Sequence, residues 1–591
     1  MVKAMWDDYR VTRVFSAMHV ATTRRQHKDK VYETHLLRRS YREGGKVKNE
    51  TLANLSYLPA ATIQLIRESL AGKSHVIVGE GFELTRSLPH GHLAAVSVMA
   101  NQLGLPDLLG PACSERDIAY ALVLARVVHP RPKLATTTWW NDTTLAADLG
   151  LEGVTTDGVY AAMDWLGQRQ GSIEATLAKR HLGTANSTAL AYFDLPSSWV
   201  EGTKNELAAR GYSRDKKRGV AQIEYGLLTD RAGRPVAIEV FAGNTGDPSA
   251  FISVVESVRT RFQLSHLTMV GDRGMITSAR IRALHEETTL GWLTCLRAPQ
   301  IAQLASEDGP LQLSLFDERD LAAFTHPNFP GERLIACRNP LLAAERTRKR
   351  AELLDATEAA VAPIVAAVAS GQLRGADKIG LRVGKVLNKW KMAKHFEVVI
   401  TDSSLGVTRR QHAIDTEAAL DGIYVLRTTL TEGEMDAAGV VTAYKDLANV
   451  ERDFRHIKVD DLSLRPIHHR LEARVRSHVF ICMLSAYLVW HLREALAPLT
   501  FTEEHPPTRD NPVAPAQRST SASAKATTKR NDADDEVRGF RELLDHLATL
   551  TRNTMAVTAE AASSFELLST PTTTQRRVFE LLGSAVPRRL T

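Results

Sequence analysis

Short apolar runs alternate with helical patterns along the middle of this 591-residue chain. Two of the runs end in an acid: residues 189–193 are closed by Asp194, and residues 267–271 are closed by Asp272. Short apolar runs bounded by Gly, Pro and Ser predict buried strands, and side chains at strand ends often form sites in α/β proteins. For one such aspartate alone, a turn or a helix cap is the commoner role. Together they are candidates for a shared site.

A second pattern surrounds Glu451. On a helix with 3.6 residues per turn, Tyr444, Glu451 and Lys458 stay close to one face. Leu447 and Arg455 lie four residues on either side of Glu451 and join the same stripe. One interpretation is a solvated helix face with i,i+4 charge pairs. The other is a site that binds a metal ion through the carboxylate and phosphates through the cations. The two upstream aspartates favour the second interpretation.

Together these residues resemble the DDE transposases of bacterial insertion sequences. The resemblance is to the branch whose catalytic glutamate lies in a Tyr-x2-Arg-x3-Glu-x6-Lys pattern, which here reads Tyr444-x2-Leu447-x3-Glu451-x6-Lys458. The spacing is intact, whereas a leucine replaces the arginine. The Gly-Asp-Arg-Gly block around Asp272 is similar to the second aspartate motif of the family. The residues that end in Asp194 are similar to the first motif, with a proline two residues later where a threonine is expected.

The resemblance implies an α/β fold, in which a ribonuclease H-like catalytic domain is interrupted by a β-rich insertion. A mostly helical N-terminal DNA-binding region and a helical C-terminal tail would flank it. A strand, a hairpin at 222–241, a helix at 249–259 and the strand that ends at Asp272 follow in the expected order. The expected domains are a basic hairpin region at 1–60, the helical DNA-binding region at 61–185, the first part of the catalytic core at 186–293, the insertion at 294–430, the core segment with the glutamate helix at 431–500, a flexible linker at 501–536 and the helical tail at 537–591.

In this family the two aspartates and the glutamate bind metal ions. If the same roles apply to this chain, the catalytic residues would be Asp194, Asp272 and Glu451. They would also be the ligands of two Mg²⁺ ions, with Mn²⁺ as a substitute. Such ions activate water and stabilise the leaving oxygen in phosphodiester cleavage. Water would cut at the end of the element, and the freed 3′-hydroxyl would attack target DNA. The implied partners are the terminal inverted repeats and the target DNA, bound by a homodimer.

The resemblance also implies DNA contacts from Tyr444, Arg455 and Lys458. Because Leu447 cannot make the phosphate contact of an arginine, we expect Arg455 to replace part of it. A guanidinium binds phosphate with a bidentate geometry that lysine does not reproduce. The simpler interpretation is that Arg455 pairs with Glu451 across one helical turn.

The regions before Asp194 carry two further candidates for DNA contact. Residues 24–48 contain nine Lys or Arg and three acids, and two extended runs flank Gly44-Gly45, which predicts a hairpin. We expect Arg38, Arg39 and Arg42 to contact phosphates, although a solvated ribbon is the alternative. Residues 143–149 and a second helix capped by Asp157 resemble a helix-turn-helix that would recognise the ends of the element, but helical bundles contain similar pairs.

Composition agrees with an intracellular DNA-binding protein without requiring one. The chain is 44% apolar and 24% charged, with a net charge of +6 and a pI of about 9.0. Its four cysteines are scattered, which argues against structural zinc and a disulfide framework. The N-terminus has no hydrophobic signal core, and the longest apolar stretch, 479–490, is too short to span a bilayer. We expect a cytoplasmic, nucleoid-associated protein with no membrane partner.

Two other functions remain open. A catalytically decayed or domesticated copy would bind DNA as a repressor or an architectural factor, and the leucine at 447 favours it. Acids at all three motif positions favour the active enzyme. A stand-alone nuclease on the same fold is disfavoured by the long flanking regions, which a transposase would use to recognise ends and to assemble on them.

Overall fold

The computed structural model describes residues 18–27, 30–73, 75, 82–182, 189–211, 219–245, 260, 262, 267–274, 276–277, 281, 290–306, 311, 316–455, 462–507, 511–514, 517–557 and 564–590. The chain divides into two compact units. The first comprises Met1–Ser87 and Asn553–Leu567, and the second comprises Leu88–Arg552 and Leu568–Thr591.

The first unit contains an antiparallel sheet of three strands, β1 (Met18–His27), β2 (Lys30–Glu43) and β3 (Lys46–Asn54). A turn at Gly44 and Gly45 joins β2 to β3, where the sequence predicts a hairpin. Both glycines have positive φ angles, 56° and 77°, which a tight hairpin turn requires and glycine adopts without strain. Helix α1 (Ala60–Leu70) follows and contacts β1.

A second small sheet brings together residues from both ends of the chain. Its strands are β4 (Phe82–Pro89), β16 (Thr551–Val557) and β17 (Ser564–Leu568), with β16 in the middle. The C-terminal region is therefore not entirely helical as predicted, since two of these strands separate its helices α16 (Phe540–Ala548) and α17 (Thr573–Leu581).

A mixed sheet of nine strands organises the second unit. The strands are β5 (Ala189–Asp194), β6 (Ser197–Trp199), β7 (Gln222–Thr229), β8 (Pro235–Ala242), β9 (Leu267–Val270), β10 (Gly291–Cys295), β11 (Leu321–Phe324), β12 (Arg333–Arg338) and β15 (Ile423–Thr428). Strands β5, β9 and β10 are parallel, while β7 is antiparallel to β5 and to β8. All eight residues of β7 are buried, as expected for a strand covered on both faces. The helix predicted at 249–259 lies outside the described residues.

Helices from two parts of the chain form a bundle, and the last two of them in the chain contact strand β8 of the sheet. They are α2 (Gly91–Gln102), α3 (Leu105–Leu109), α4 (Ser114–Val128), α5 (Lys133–Asn141), α6 (Thr144–Leu149), α7 (Thr156–His181) and α14 (Glu472–Ala495). Within the described residues, α14 alone is long and apolar enough to cross a membrane, and 83% of its most apolar window is buried inside the protein. It contacts α4, α7 and β8, so its apolar residues form part of the core.

The helix pair predicted as a helix-turn-helix is formed by α6 and α7. Thr155, rather than Asp157, caps α7: its hydroxyl accepts the backbone N–H of Gly158 at 3.3 Å. Asp157 lies in the first turn, where its charge favours the helix N-terminus. One face of α7, which includes Val159, Met163 and Leu166, is buried in the core. Any contact with DNA must therefore use the remaining surface of α7.

The insertion at 294–430 contains more helix than strand, so the prediction of a β-rich insertion is wrong. Three of its strands, β11, β12 and β15, extend the main sheet. Its other elements are α8 (Ala298–Leu304), α9 (Pro340–Ala369), α10 (Ala376–Lys389), α11 (Gln411–Ala418) and the hairpin of β13 (Phe396–Ile400) and β14 (Leu405–Arg409). Helices α9, α10 and α11 and the hairpin share a small core of their own, whereas α8 belongs to a second cluster with β11, β12 and β15. Apolar residues four apart along α10 explain the helix, because they bury one face.

The stretch at 501–536 also differs from the flexible linker that its composition predicts. Helix α15 (Thr520–Thr528) forms there, and Lys525 on this helix is buried. The ammonium group of Lys525 donates to the carbonyl of Ala497 at 3.0 Å and pairs with Glu504. These contacts fix the stretch to the second unit.

Candidate functional site

Asp194 and Asp272 lie at corresponding positions of two neighbouring strands. Strand β5 pairs with β9 in parallel, with Tyr192 opposite Val270. Each aspartate follows its member of that pair by two residues, so both carboxylates lie at the same edge of the sheet. The carboxyl ends of parallel strands are where α/β proteins commonly place their sites. The structure thus brings together two acids that are 78 residues apart in the sequence.

Backbone amides orient both carboxylates. The N–H of Leu195 donates to Oδ1 of Asp194 at 2.8 Å, and the N–H of Gly274 donates to Oδ1 of Asp272 at 2.9 Å. A Cβ atom at position 274 would lie 3.3 Å from that same Oδ1. Glycine therefore lets the backbone approach the Asp272 carboxylate closely.

Glu451 belongs to the same electrostatic environment. It lies on helix α13 (Leu447–Arg455), and its side chain is exposed to solvent. Partial burial raises the pKa of Glu451, and the negative charges of Asp194 and Asp272 raise it further. The positive charge of Arg455 opposes them by lowering the pKa of Glu451. The ionised form of Glu451 is therefore disfavoured beside two other acids, and a nearby cation would stabilise it.

The carboxylate oxygens of these three acids suit a hard divalent cation, although the three side chains are not arranged around a single metal position. Carboxylate oxygens are the ligands that Mg²⁺ prefers. Across the part of the chain that the structure describes, no group of three or more His, Cys, Asp or Glu side chains is arranged to hold a metal ion. The raised pKa of Glu451 beside Asp194 and Asp272 is the observation that fits such an ion, since a cation between the acids would relieve the repulsion on Glu451.

Tyr444 lies beside these acids but on a different helix from Glu451. Burial raises the pKa of Tyr444, as do the thiol of Cys295 and the charges of Asp272 and Glu451, while Arg273 lowers it. Helix α12 (Ala437–Lys445) ends before Asp446, and α13 begins after it. The prediction of one continuous helix through Tyr444 and Glu451 is therefore wrong.

The interruption has a physical cause in the side chains around it. The hydroxyl of Tyr192 donates to the carbonyl of Ala443 at 2.8 Å. In a continuous helix that carbonyl would accept from the N–H of Leu447. Asp446, at the break, accepts from Nε of Arg231 at 2.9 Å. The Tyr192 contact uses an acceptor of the regular helical ladder, whereas the Arg231 contact holds the side chain of the residue at the break.

Leu447 does not share the exposed face of Glu451 and Arg455. It is 6% exposed and belongs to the main core, whereas Glu451 and Arg455 are exposed. A leucine at this position is therefore explained by packing. Lys458, the last residue of the motif, lies outside the described residues.

A cavity of about 460 Å³ adjoins Asp272, and sequence reasoning missed it. Its lining includes the cations Arg273, Arg297 and Arg427 together with Gln300 and the thiol of Cys295. Arg427 is buried and pairs with Glu332, whereas Arg273 and Arg297 are exposed. Such a lining favours an anion. The available signal was Arg273, which directly follows Asp272 at the end of a predicted strand. The strand before Arg297, β10, was not predicted from the sequence.

The three arginines predicted to contact phosphates lie on β2 of the first unit but not all on one face. Successive residues of a strand point to opposite faces, so Arg38 and Arg42 share one face and Arg39 lies on the other. Arg39 pairs with Glu50 at 2.8 Å. The structure therefore separates these three residues into two groups.

Comparison with known families agrees with this geometry. Residues 196–488 match the family described as Transposase DDE domain, and residues 20–77 match the family described as IS1634 family transposase, N-terminal domain. The chain belongs to the DDE transposases of insertion sequences. The first match covers Asp272 and Glu451 and begins two residues after Asp194. The second covers the three-stranded sheet and α1 of the first unit. No curated protein sequence matches the chain.

Proposed function

We propose that this transposase cleaves DNA at the ends of an insertion sequence and joins the freed ends to target DNA. The observation that carries the proposal is that Asp194 and Asp272 follow neighbouring parallel strands and that their charges raise the pKa of Glu451. Residues 196–488, which match a DDE transposase domain, include Asp272 and Glu451. The strand order β8-β7-β5-β9-β10, antiparallel at first and then parallel, supports a ribonuclease H-like core.

The three carboxylates would hold two Mg²⁺ ions, or Mn²⁺ in their place. When bound, such ions activate water for in-line attack on a phosphodiester and stabilise the charge of the leaving oxygen. The protein itself holds the carboxylates in place. The amides of Leu195 and Gly274 keep one oxygen of each aspartate directed inward, and the positive charge of Arg455 favours the ionised form of Glu451.

Cations near the acids would bind the DNA strand. Arg273 and Arg297 line the cavity beside Asp272 and offer charge-assisted contacts to phosphate oxygens. Arg455 lies one helical turn from Glu451, on the exposed side of α13, and takes part of the role that an arginine at position 447 would have. Tyr444 and Lys458 complete the proposed set of DNA contacts.

The proposed partners are the terminal inverted repeats of the element and its target DNA. A homodimer would hold two ends for concerted joining, and the basic sheet of the first unit would add phosphate contacts. Such a protein would act in the cytoplasm, associated with the nucleoid.

Substitution of each acid tests the chemistry. Asp194→Asn, Asp272→Asn and Glu451→Gln should each abolish Mg²⁺-dependent cleavage of a duplex that carries the element's end, because each removes one anionic ligand. Binding of that duplex in EDTA should stay largely unchanged. Glu345→Gln, an exposed change of the same type on α9, is the matched control. A variant that cleaves at the wild-type rate would remove its residue from the site. A wild-type protein that binds ends without cutting them would instead indicate a decayed, DNA-binding copy.

A further inference from the structure

Helix α10 of the insertion presents four cations on one face. Lys378, Arg382, Lys385 and Lys389 are all exposed, and their spacing of four, three and four residues follows the helical repeat. At about 100° per residue they fall within an arc of about 60°, and they extend over about 16 Å of the helix axis. We call these four residues the α10 stripe.

Acids on the helix that packs against α10 pair with other residues, whereas Asp377, exposed on α10 itself, lies outside the arc of the stripe. On the neighbouring helix α9, Asp355 and Glu358 pair with Arg409, and Glu352 pairs with Arg348. Within the described part of the chain, none of the four stripe residues forms an ion pair with an acid. Lys389 has one other contact, since its ammonium lies 4.3 Å from the ring centre of Trp390. The stripe is therefore a positive surface that its own fold does not neutralise.

This arrangement costs the helix some stability. Lys378 and Arg382, Arg382 and Lys385, and Lys385 and Lys389 are neighbours at i,i+4 or i,i+3. Like charges at these spacings destabilise a helix by a few tenths of a kcal/mol per pair. Solubility alone would not require four cations in a row, because opposite charges can alternate on an exposed helix face, as Arg348 and Glu352 do on α9.

The opposite side of α10 is already occupied. Ile379, Val383 and Leu387 are buried in the core of the insertion, against residues of α9 and the β13–β14 hairpin. A helix that binds a bilayer inserts its apolar face between the lipids. Because that face of α10 is packed, the charge of the stripe, rather than apolar area, determines what it binds.

We propose that the α10 stripe binds the phosphate backbone of duplex DNA. One strand of B-DNA carries a phosphate about every 3.4 Å along the axis, so a stripe of about 16 Å faces about five of them. Long, flexible lysine and arginine side chains in one row follow such a series of charges without recognising bases. The insertion thus holds DNA independently of sequence. The inference rests on the proposed function only in its choice of DNA as partner, because it requires no cleavage.

The test measures binding of the full-length protein to a random-sequence duplex in EDTA over a range of salt concentrations. The stripe variant carries Lys378→Gln, Arg382→Gln, Lys385→Gln and Lys389→Gln. The control variant loses the same charge at four scattered, exposed positions of the second unit: Lys179→Gln, Lys204→Gln, Arg518→Gln and Lys529→Gln. Each lost phosphate contact should flatten the slope of log affinity against log salt by about 0.9.

The proposal expects the slope to flatten by about 2 to 4 in the stripe variant and by less than about 1 in the control. The melting temperature of the stripe variant should be unchanged or higher, because like-charge pairs are removed. Equal slopes in both variants would overturn the proposal. So would stripe-dependent binding to vesicles of anionic phospholipid with duplex binding unchanged. Cleavage of an end duplex, measured in parallel, separates the two proposals: a wild type that binds through the stripe and never cleaves contradicts only the proposed function.

Discussion

The hydroxyl of Tyr192 donates a hydrogen bond of 2.8 Å to the carbonyl of Ala443, 251 residues further along the chain. Tyr192 precedes Asp194 by two residues on β5, and Ala443 lies on α12, directly before Tyr444. This bond therefore connects the strand that carries the first acid to the helix that leads to Glu451. It also uses the acceptor that a continuous helix would need, which separates α12 from α13.

Removal of this bond should affect both folding and catalysis. Tyr192→Phe leaves the carbonyl of Ala443 without its donor, which should cost about 1 to 3 kcal/mol of unfolding free energy. We expect end cleavage to slow by about tenfold, equal to about 1.4 kcal/mol of activation free energy, because Glu451 is held less firmly against Asp194. Tyr225→Phe is the control: Tyr225 is equally buried, and its hydroxyl accepts from Ser198 at 3.3 Å. If both variants cleave alike at equal stability, the Tyr192 contact has no positioning role.

The raised pKa of Glu451 predicts a stability effect of known sign. A carboxyl group with a folded-state pKa above its unfolded value binds its proton more tightly in the folded protein. Stability is therefore gained as the pH falls through that pKa, and the ionised group weakens the fold at neutral pH. Glu451→Gln should raise the melting temperature at neutral pH, and the advantage should shrink as the pH falls below the folded-state pKa. Glu345→Gln should show neither effect. A lower melting temperature for Glu451→Gln in EDTA would contradict this account.

Leu447 should not tolerate the arginine that the family pattern has at its position. Leu447→Arg would place a charge among core residues, at a cost of at least about 2 kcal/mol without a partner. Leu447→Met keeps the volume and should cost less than about 1.5 kcal/mol. Urea unfolding measures both variants. An arginine variant that keeps full stability and cleaves faster would show that the position faces the DNA.

Arg455 should act on the bound DNA end. Arg455→Ala and Arg455→Lys should both slow cleavage by about tenfold, since lysine lacks the planar bidentate donor. Stability should change little, because the side chain is exposed and an ion pair across one turn contributes only a few tenths of a kcal/mol. Single-turnover cleavage of prebound ends separates this effect from binding. Normal cleavage by both variants would leave Arg455 as a partner of Glu451 alone.

The basic sheet of the first unit should bind DNA through one face. Residues paired directly across strands share a face, and one face carries the ion pairs Arg24–Glu33, Arg39–Glu50 and Lys48–Glu43. The other carries Arg25, Arg38 and Arg42, which form no ion pair with an acid among the described residues.

Neutralising one face at a time tests this difference. Changing Arg25, Arg38 and Arg42 together to Gln should flatten the salt dependence of duplex binding by up to about 2.7. The same change at Arg24, Arg39 and Lys48 removes equal charge and should flatten it less, because those cations are already partly neutralised. Equal changes of the salt dependence in the two variants would show that only net charge matters. If neither variant changes it, the basic residues of the sheet do not bind DNA and serve only solubility.

The local pattern of apolar and turn residues was sufficient to predict several features of the fold. The apolar runs before Asp194 and Asp272 form strands as predicted, because a short run bounded by turn residues has few other ways to become buried. The hairpin at Gly44-Gly45 has the same kind of local cause. Motif spacing indicated Glu451 as the third acid, which the structure places in the electrostatic environment of the other two.

Other features depended on contacts between distant residues. The sequence around Tyr444 and Glu451 is compatible with one helix, but the hydroxyl of Tyr192 uses the carbonyl of Ala443, which such a helix would need as an acceptor. Composition predicted a linker at 501–536, but the burial of Lys525 against Glu504 orders it.

The sequence by itself determined the family and the strands that precede Asp194 and Asp272, and it predicted the three acids, because those signals are local in the chain. Tertiary structure decided that Leu447 is buried, that Arg39 is paired while Arg38 and Arg42 lie on the opposite face, and that the α10 stripe keeps its charge. The physical reason is that burial and ion pairing depend on which distant residues come within a few ångströms. The spacing of residues along one segment does not contain that information.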